Sequence, residues 1–177
     1  MAKLVSKTYG DALFEVALED GTMDLLTEEV QAMTQVLQEN EELSRFINHP
    51  KVSREEKIQM IEKVFKGRFS DSLVGFLVLI LEKGRYEKIS SIFEYYMDRV
   101  REYKKIGVVW VSSAVALSSE QQQKIEQKLL ATTQYEKLEM HYAVDKSLIG
   151  GLVIRIKDRV VDNSIKSQIK AMTKALV

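Results

Sequence analysis

Lys104-Lys105-Ile106-Gly107-Val108-Val109-Trp110-Val111 is the stretch at which the chain changes character. Val108 to Val111 is β-branched and aromatic, the composition of a strand. Before it, apolar residues recur at helical spacing; after it, alternating and helical segments mix. The break therefore predicts an α+β protein with two domains. A six-helix bundle is expected over residues 1–105, and a small β-α-β-β-α domain over residues 106–177. Trp110, the one tryptophan, is expected to fill the core of the second domain. Lys104-Lys105 reads as a solvated linker in preference to a phosphate contact.

Toward the N-terminus, Tyr86 to Lys104 reads as a long helix with Ile89, Ile92, Phe93, Tyr96, Met97, Val100 and Tyr103 on one side. The run from Leu73 to Leu81 is apolar all round apart from Gly75, which fits a buried helix or a buried strand. Helical neighbours and the ending Glu82-Lys83-Gly84 favour a helix. Ser53 with Glu56 three residues on is a capping box, opening a helix that buries Ile58, Ile61, Val64 and Phe65 before Gly67. Pro50, the single proline, stops a short helix over about Glu41 to Ile47. Met23 to Leu37 carries Leu26, Val30, Met33 and Leu37 in one stripe. The first helix carries Val5, Tyr9, Leu13, Val16 and Ala17, and Gly21 closes it.

Toward the C-terminus, Ser118 with Gln121 is a second capping box, and its helix buries Ile125 and Leu129. Leu138, Met140, Tyr142 and Val144 alternate with Glu139, His141 and Ala143, as in a strand with one wet face. Asp145 to Gly151 is a turn region. Leu152 to Lys157 and Arg159 to Val161 read as strands joined at Asp158. Asp162 or Asn163 is expected to cap a last helix carrying Ile165, Ile169 and Met172.

Composition narrows the function. Lys and Arg balance Asp and Glu at 26 each, which disfavours a protein whose main partner is nucleic acid. The balance hides an asymmetry: residues 1–44 hold ten acids and two bases, a net −8, while residues 106–177 hold ten bases and seven acids, a net +3. The opening segment should attract a basic partner. Absence of cysteine removes disulfides and thiolate chemistry. The longest apolar run has nine residues against roughly 20 for a membrane span, so no direct membrane insertion is expected. Residues 1–11 carry neither a signal core nor a transit pattern, which predicts a protein that stays where it is made.

Catalytic patterns are missing. No phosphate-binding G-x-x-x-x-G-K-[ST] or nucleophile elbow occurs, and Gly150-Gly151 reads as a tight turn. His49 and His141 lack the further ligands that zinc needs and read as surface residues. Glu28-Glu29, Glu39 and Glu41-Glu42 read as a solvated face, or else as a docking surface for a basic helix. Neither a cofactor nor a metal is expected. A small enzyme, a nucleic-acid reader built on the second domain, and a helical adaptor in another multiprotein complex are the competing readings.

Several segments, in order, resemble one family. Tyr9-Gly10-Asp11-Ala12-Leu13-Phe14-Glu15-Val16-Ala17 resembles the opening helix of bacterial F-type ATP synthase delta subunits and their mitochondrial relative, the oligomycin sensitivity-conferring protein. Gly10 departs from it, alanine or serine being common there. Phe76-Leu77 through Leu79-Ile80, followed by Gly84-Arg85, is similar to the fifth helix and the turn after it. Val144 to Asp158, around Gly150-Gly151 and including Asp145 and Arg155, is similar to the family signature, and Asp162-Asn163-Ser164-Ile165 continues it.

The resemblance implies a non-catalytic stator protein that ties the catalytic head to the peripheral stalk against rotor torque during proton-coupled ATP synthesis. It implies one copy per complex, at the cytoplasmic face of the bacterial membrane. A groove between the first and fifth helices would receive the N-terminal helix of an alpha subunit. Tyr9, Ala12, Leu13 and Val16 would lie on one wall, and Leu73, Leu77 and Ile80 on the other. The second domain would engage the C-terminal helices of the b subunits.

Overall fold

The computed structural model describes residues 2–175. It divides into two compact units, residues 1–100 and 101–177. The division falls inside a helix, five residues before the boundary read from the sequence.

The first unit is helical. α1 (Ala2–Glu19), α2 (Met23–Glu39), α3 (Glu41–Asn48), α4 (Arg54–Phe65), α5 (Asp71–Glu82) and α6 (Ile89–Tyr103) follow one another, with a short 3₁₀ turn at Tyr86–Lys88 before α6. All six contribute to one apolar core. The helical period explains the selection: on α2 the buried residues are Met23, Leu26, Val30 and Met33, at steps of three and four. On α5 the buried set is Leu73, Val74, Leu77, Ile80 and Leu81. That spacing belongs to a helix, and settles the ambiguity of the apolar run. The capping box of α4 forms as read, with Ser53 Oγ accepting from the Glu56 amide and Glu56 accepting from the Ser53 amide.

Two contacts in this unit were not legible beforehand. The Glu29 carboxylate of α2 accepts hydrogen bonds from both the amide and the hydroxyl of Ser70, the residue whose hydroxyl caps α5. A carboxylate there also suits the positive end of the α5 dipole. Lys57 of α4 is buried, with its ammonium 3.9 Å from the centroid of the Tyr86 ring, a cation–π contact that offsets part of the cost of burying a charge.

The second unit is a four-stranded sheet with helices. β1 (Ile106–Ser113), α7 (Ser119–Thr132), β2 (Lys137–Val144), β3 (Leu152–Ile156), β4 (Arg159–Asp162) and α8 (Ile165–Ala175) run in that order, with a 3₁₀ turn at Lys146–Leu148. The sheet order is β2-β1-β3-β4. β1 and β2 are parallel, as the intervening helix α7 allows. β1–β3 and β3–β4 are antiparallel. Val109, Val111 and Leu138 form the core with Ile125, Leu129 and Leu130 of α7 packed on them. The mixed helix-and-sheet class is as expected.

Three expectations need correction here. The two strands read as joined at Asp158 are present and pair across a hairpin with Lys157 left-handed (φ 47); counted separately they make the order β-α-β-β-β-α in place of β-α-β-β-α. Trp110 is 54% exposed. Val109 and Val111 take the core-facing parity of β1, and the two-residue period sends Trp110 to the other face, where it stacks on His141 at 4.2 Å between centroids. The hydroxyl that caps α8 is that of Ser164, which accepts from the Ser167 amide at 3.2 Å. Asp162 acts one step back: it accepts from the Ser164 amide and the Ser167 hydroxyl.

Candidate docking surfaces

Burial separates the residues named on α1 and α5 into two groups. Leu13, Leu73, Leu77 and Ile80 are core residues, each at most 2% exposed. Tyr9 is half-buried against that core. Ala12 and Val16, one helical turn apart, are exposed on α1, Val16 at 42%. On α5 the exposed uncharged positions are Gly75 and Leu79, also one turn apart, with Asp71 and Glu82 exposed at the two ends. Leu79 is 40% exposed, and nothing lies within 4 Å of where a Gly75 Cβ would be. The sequence reading passed over both. A glycine inside a helix costs about 1 kcal/mol relative to alanine, and with no on-chain reason for it that cost was the available signal.

The surroundings of the α1 stripe are acidic. Glu15, Glu19 and Asp20 are all exposed beside Ala12 and Val16. Asp11 is tied down: it accepts from the Tyr95 hydroxyl at 3.0 Å and lies 3.6 Å from Arg99 of α6. The Tyr95 ring occupies the space that a Cβ at Gly10 would need. Gly10 is thus a packing residue, which gives its departure from the family pattern a local cause. Between α1 and α6 lies an open cleft of about 610 Å³, bordered by Ser6, Lys7, Lys88, Ser91, Glu94 and Asp98. It holds no histidine, and a serine pair, Ser6 and Ser91, bonds to itself at 2.9 Å. No group of three or more His, Cys, Asp or Glu suited to a metal ion occurs among the described residues.

The signature residues of the second unit build a turn. Asp145 accepts from the Ser147 amide at 2.9 Å, and bonding to the Ser147 side chain and then its amide holds the carboxyl below the ordinary aspartate range. Gly151 is left-handed (φ 79), and a Cβ there would run into the backbone oxygen of Asn163. A Cβ on Gly150 would meet the end of the Ile165 side chain, while Gly150 O accepts from the Ile165 amide at 3.0 Å. The glycine pair therefore lets the turn close against the start of α8. Ile149 is left in an uncommon conformation, φ 68 and ψ −43, and is 65% exposed. For a β-branched residue that is a strained position, held by its surroundings. Arg155 does not join this turn: it sits on β3 opposite Trp110 and is exposed. Lys105 is more than a solvated linker. It pairs with Glu136 at 2.7 Å, and that hydrogen bond raises its pKa.

The model of the family described as ATP synthase delta (OSCP) subunit matches residues 5–176. The chain belongs to that family. It is similar to the ATP synthase subunit delta of Lachnoclostridium phytofermentans, with 54% identity over 99% of this chain and 97% of the relative. The corresponding protein of Halalkalibacterium halodurans is 34% identical over 98% and 94%. The fold is also that of a chain in the mitochondrial ATP synthase hexamer of Toxoplasma gondii, with a TM-score of 0.74 over 97% of this chain and 96% of that one at 18% identity. Members of the family are structural parts of the synthase, so the chain is a non-catalytic stator subunit of an F-type ATP synthase. No helix among the described residues is long and apolar enough to cross a membrane.

Proposed function

We propose that the chain holds the catalytic head of the synthase to its peripheral stalk by two separate attachments, one on each unit. Residues 1–105, as a six-helix bundle, receive the N-terminal helix of an alpha subunit. Residues 106–177 engage the C-terminal helices of the b subunits. One copy serves each complex, at the cytoplasmic face of the bacterial membrane.

The observation that carries the first attachment is a one-turn pair of exposed uncharged positions on each helix, Ala12 with Val16 on α1, where Leu4 and Leu18 are exposed too, and Gly75 with Leu79 on α5. Their one-turn spacing suits recognition of a helix by apolar anchors. Tyr9 borders the α1 positions, while Leu13, Leu73, Leu77 and Ile80 form the rigid base beneath. The net −8 of residues 1–44 favours a basic partner and speeds its approach. The test is a titration of the whole chain with a peptide of the alpha subunit's N-terminal helix, followed by amide shifts in NMR. Saturable shifts clustered at residues 9–16 and 72–79 are expected. A folded chain that binds no peptide overturns the reading.

A further inference from the structure

The sheet of the second unit has two edges, and they are finished differently. β4 is four residues long, with Arg159 and Asp162 at its ends. Shortness and charge are the usual guards of an edge. β2 is eight residues long and carries neither proline nor glycine. It runs in register with β1 from Lys137 to Val144 without a bulge. The strand order leaves its other side open. Among the described residues, the backbone of Leu138 to Ala143 pairs with β1 alone. The N–H and C=O groups along the far side are a template for another strand.

The side chains of β2 decide which strand fits. Leu138, Met140 and Tyr142 stand on the core face; Lys137, Glu139, His141 and Ala143 take the other. Laid antiparallel against itself about a two-fold axis at Met140, β2 sets Leu138 opposite Tyr142 and Glu139 opposite His141. Lys137 then meets Ala143, and Met140 meets its own copy. Each pair shares a face, as opposed residues must. Apolar groups meet on the core side, and a carboxylate meets an imidazole twice on the other. An axis at Glu139 would set that carboxylate on its own copy and Lys137 on His141. An axis at His141 would set His141 on His141 and leave Glu139 facing Ala143. Like charges directly opposite are unfavourable, so the register centred on Met140 is the complementary one. Glu139 accepts from Arg101 through Oε2 at 3.0 Å, and a carboxylate has a second oxygen with which to take an imidazole. His141 is exposed, with its ring stacked on Trp110, so less side-chain freedom remains to be lost on pairing.

We infer that the chain outside the synthase self-associates through β2, two copies pairing antiparallel about Met140 so that their sheets become continuous. A contact between two strands covers less surface than a permanent dimer does, so the pair forms and parts with concentration. The inference goes beyond the proposed attachments, which concern one copy inside the complex; the paired form is a state of the chain before it is taken up.

The chain has no cysteine, so single introduced thiols read the register. In the pair, Met140 lies opposite its own copy with Cα atoms about 4.5–5.5 Å apart, within disulfide reach. Ala143 sits three residues from the axis, which puts its two copies about 20 Å apart. The natural chain, Met140→Cys, Ala143→Cys and His141→Glu are compared as whole chains, each with its fold checked by circular dichroism. Sedimentation should show the natural chain passing from monomer to dimer between about 5 and about 500 µM. Under mild oxidation Met140→Cys should form a covalent dimer at least about tenfold faster than Ala143→Cys. His141→Glu sets two further carboxylates against those of Glu139, and should weaken the dimer about tenfold. A natural chain that stays monomeric throughout overturns the inference. A dimer that His141→Glu leaves intact, or that crosslinks faster at position 143 than at 140, lies elsewhere on the surface and overturns it too. If Met140→Cys fails to fold, sedimentation of His141→Glu still decides, since that position is exposed.

Discussion

Gly75→Ala should make the protein more stable and a poorer partner. Alanine is favoured over glycine inside a helix by about 0.8–1 kcal/mol. At Gly75 the added methyl meets nothing within 4 Å, so no packing cost offsets that gain. For a unit of about 100 residues, 1 kcal/mol moves the melting temperature by roughly 4–8 °C. A rise of about 3–8 °C in the transition of the first unit is expected, followed by circular dichroism. Binding of the alpha-subunit helix should change the other way. If a partner backbone lies against Gly75, a methyl forces the two apart, and overpacking of that kind costs about 1–3 kcal/mol. The dissociation constant would then rise from about fivefold to more than a hundredfold. A fall in melting temperature would mean that the glycine answers a need within this chain. Unchanged peptide affinity alongside a raised melting temperature would refute the assignment of the Gly75–Leu79 face to the partner.

The other predictions concern the two units in turn. Leu77→Ala, at a fully packed site, should cost about 2–5 kcal/mol of stability, whereas Leu79→Ala, 40% exposed, should cost little stability but weaken the peptide about fivefold; denaturant unfolding and titration read both, and the reverse pattern would exchange their roles. Gly151→Ala combines a left-handed φ with a Cβ directed at the Asn163 carbonyl, and should destabilise the second unit by about 3 kcal/mol in urea unfolding; a loss under 1 kcal/mol would show that the turn can relax. The carboxyls of Asp162 and Asp145 lie below the usual 3.8, Asp162 chiefly through the Ser167 hydroxyl and then Ser164, and Asp145 through Ser147. Depressed values mean that their stabilisation is complete above about that pH and is lost as pH falls through the lowered values. The urea midpoint of the second unit should therefore fall on acidification below pH 4, and Asp162→Asn should flatten the decline. An identical decline in the variant would place the acid sensitivity elsewhere.

Residues whose role is local were the most legible in the sequence. Ser53-Glu56 and Ser118-Gln121 close their capping boxes as read, because a cap is made within four residues. The Leu73–Leu81 run identified a buried element but not which side of it faces out, since a segment apolar all round carries no periodic mark. That is why Leu73, Leu77 and Ile80 were named for a wall when they belong to the core, and why Gly75 and Leu79 were passed over. Trp110, read as filling the core, lies on the other face because strand parity, fixed by Val109 and Val111, decides its side. The Glu29–Ser70 and Lys57–Tyr86 contacts join distant parts of the chain, and no local pattern announces them. The Gly150-Gly151 pair was read as a turn; what it turns against, Asn163 and Ile165, came only from the fold.

The seating of the Tyr95 ring on Gly10 has an evolutionary consequence. A methyl at position 10 and a tyrosine at position 95 compete for one volume, so neither site drifts freely of the other. A lineage that carries alanine or serine at the first position needs a slimmer residue, or a displaced α6, at the second. Where α6 stays in place, the ring must leave before the side chain arrives. The loss of that ring would also take away the hydroxyl that Asp11 accepts from, while the contact with Arg99 would stay. Positions 10, 11, 95 and 99 should thus change as a linked set across the family, a historical constraint imposed by one absent methyl group.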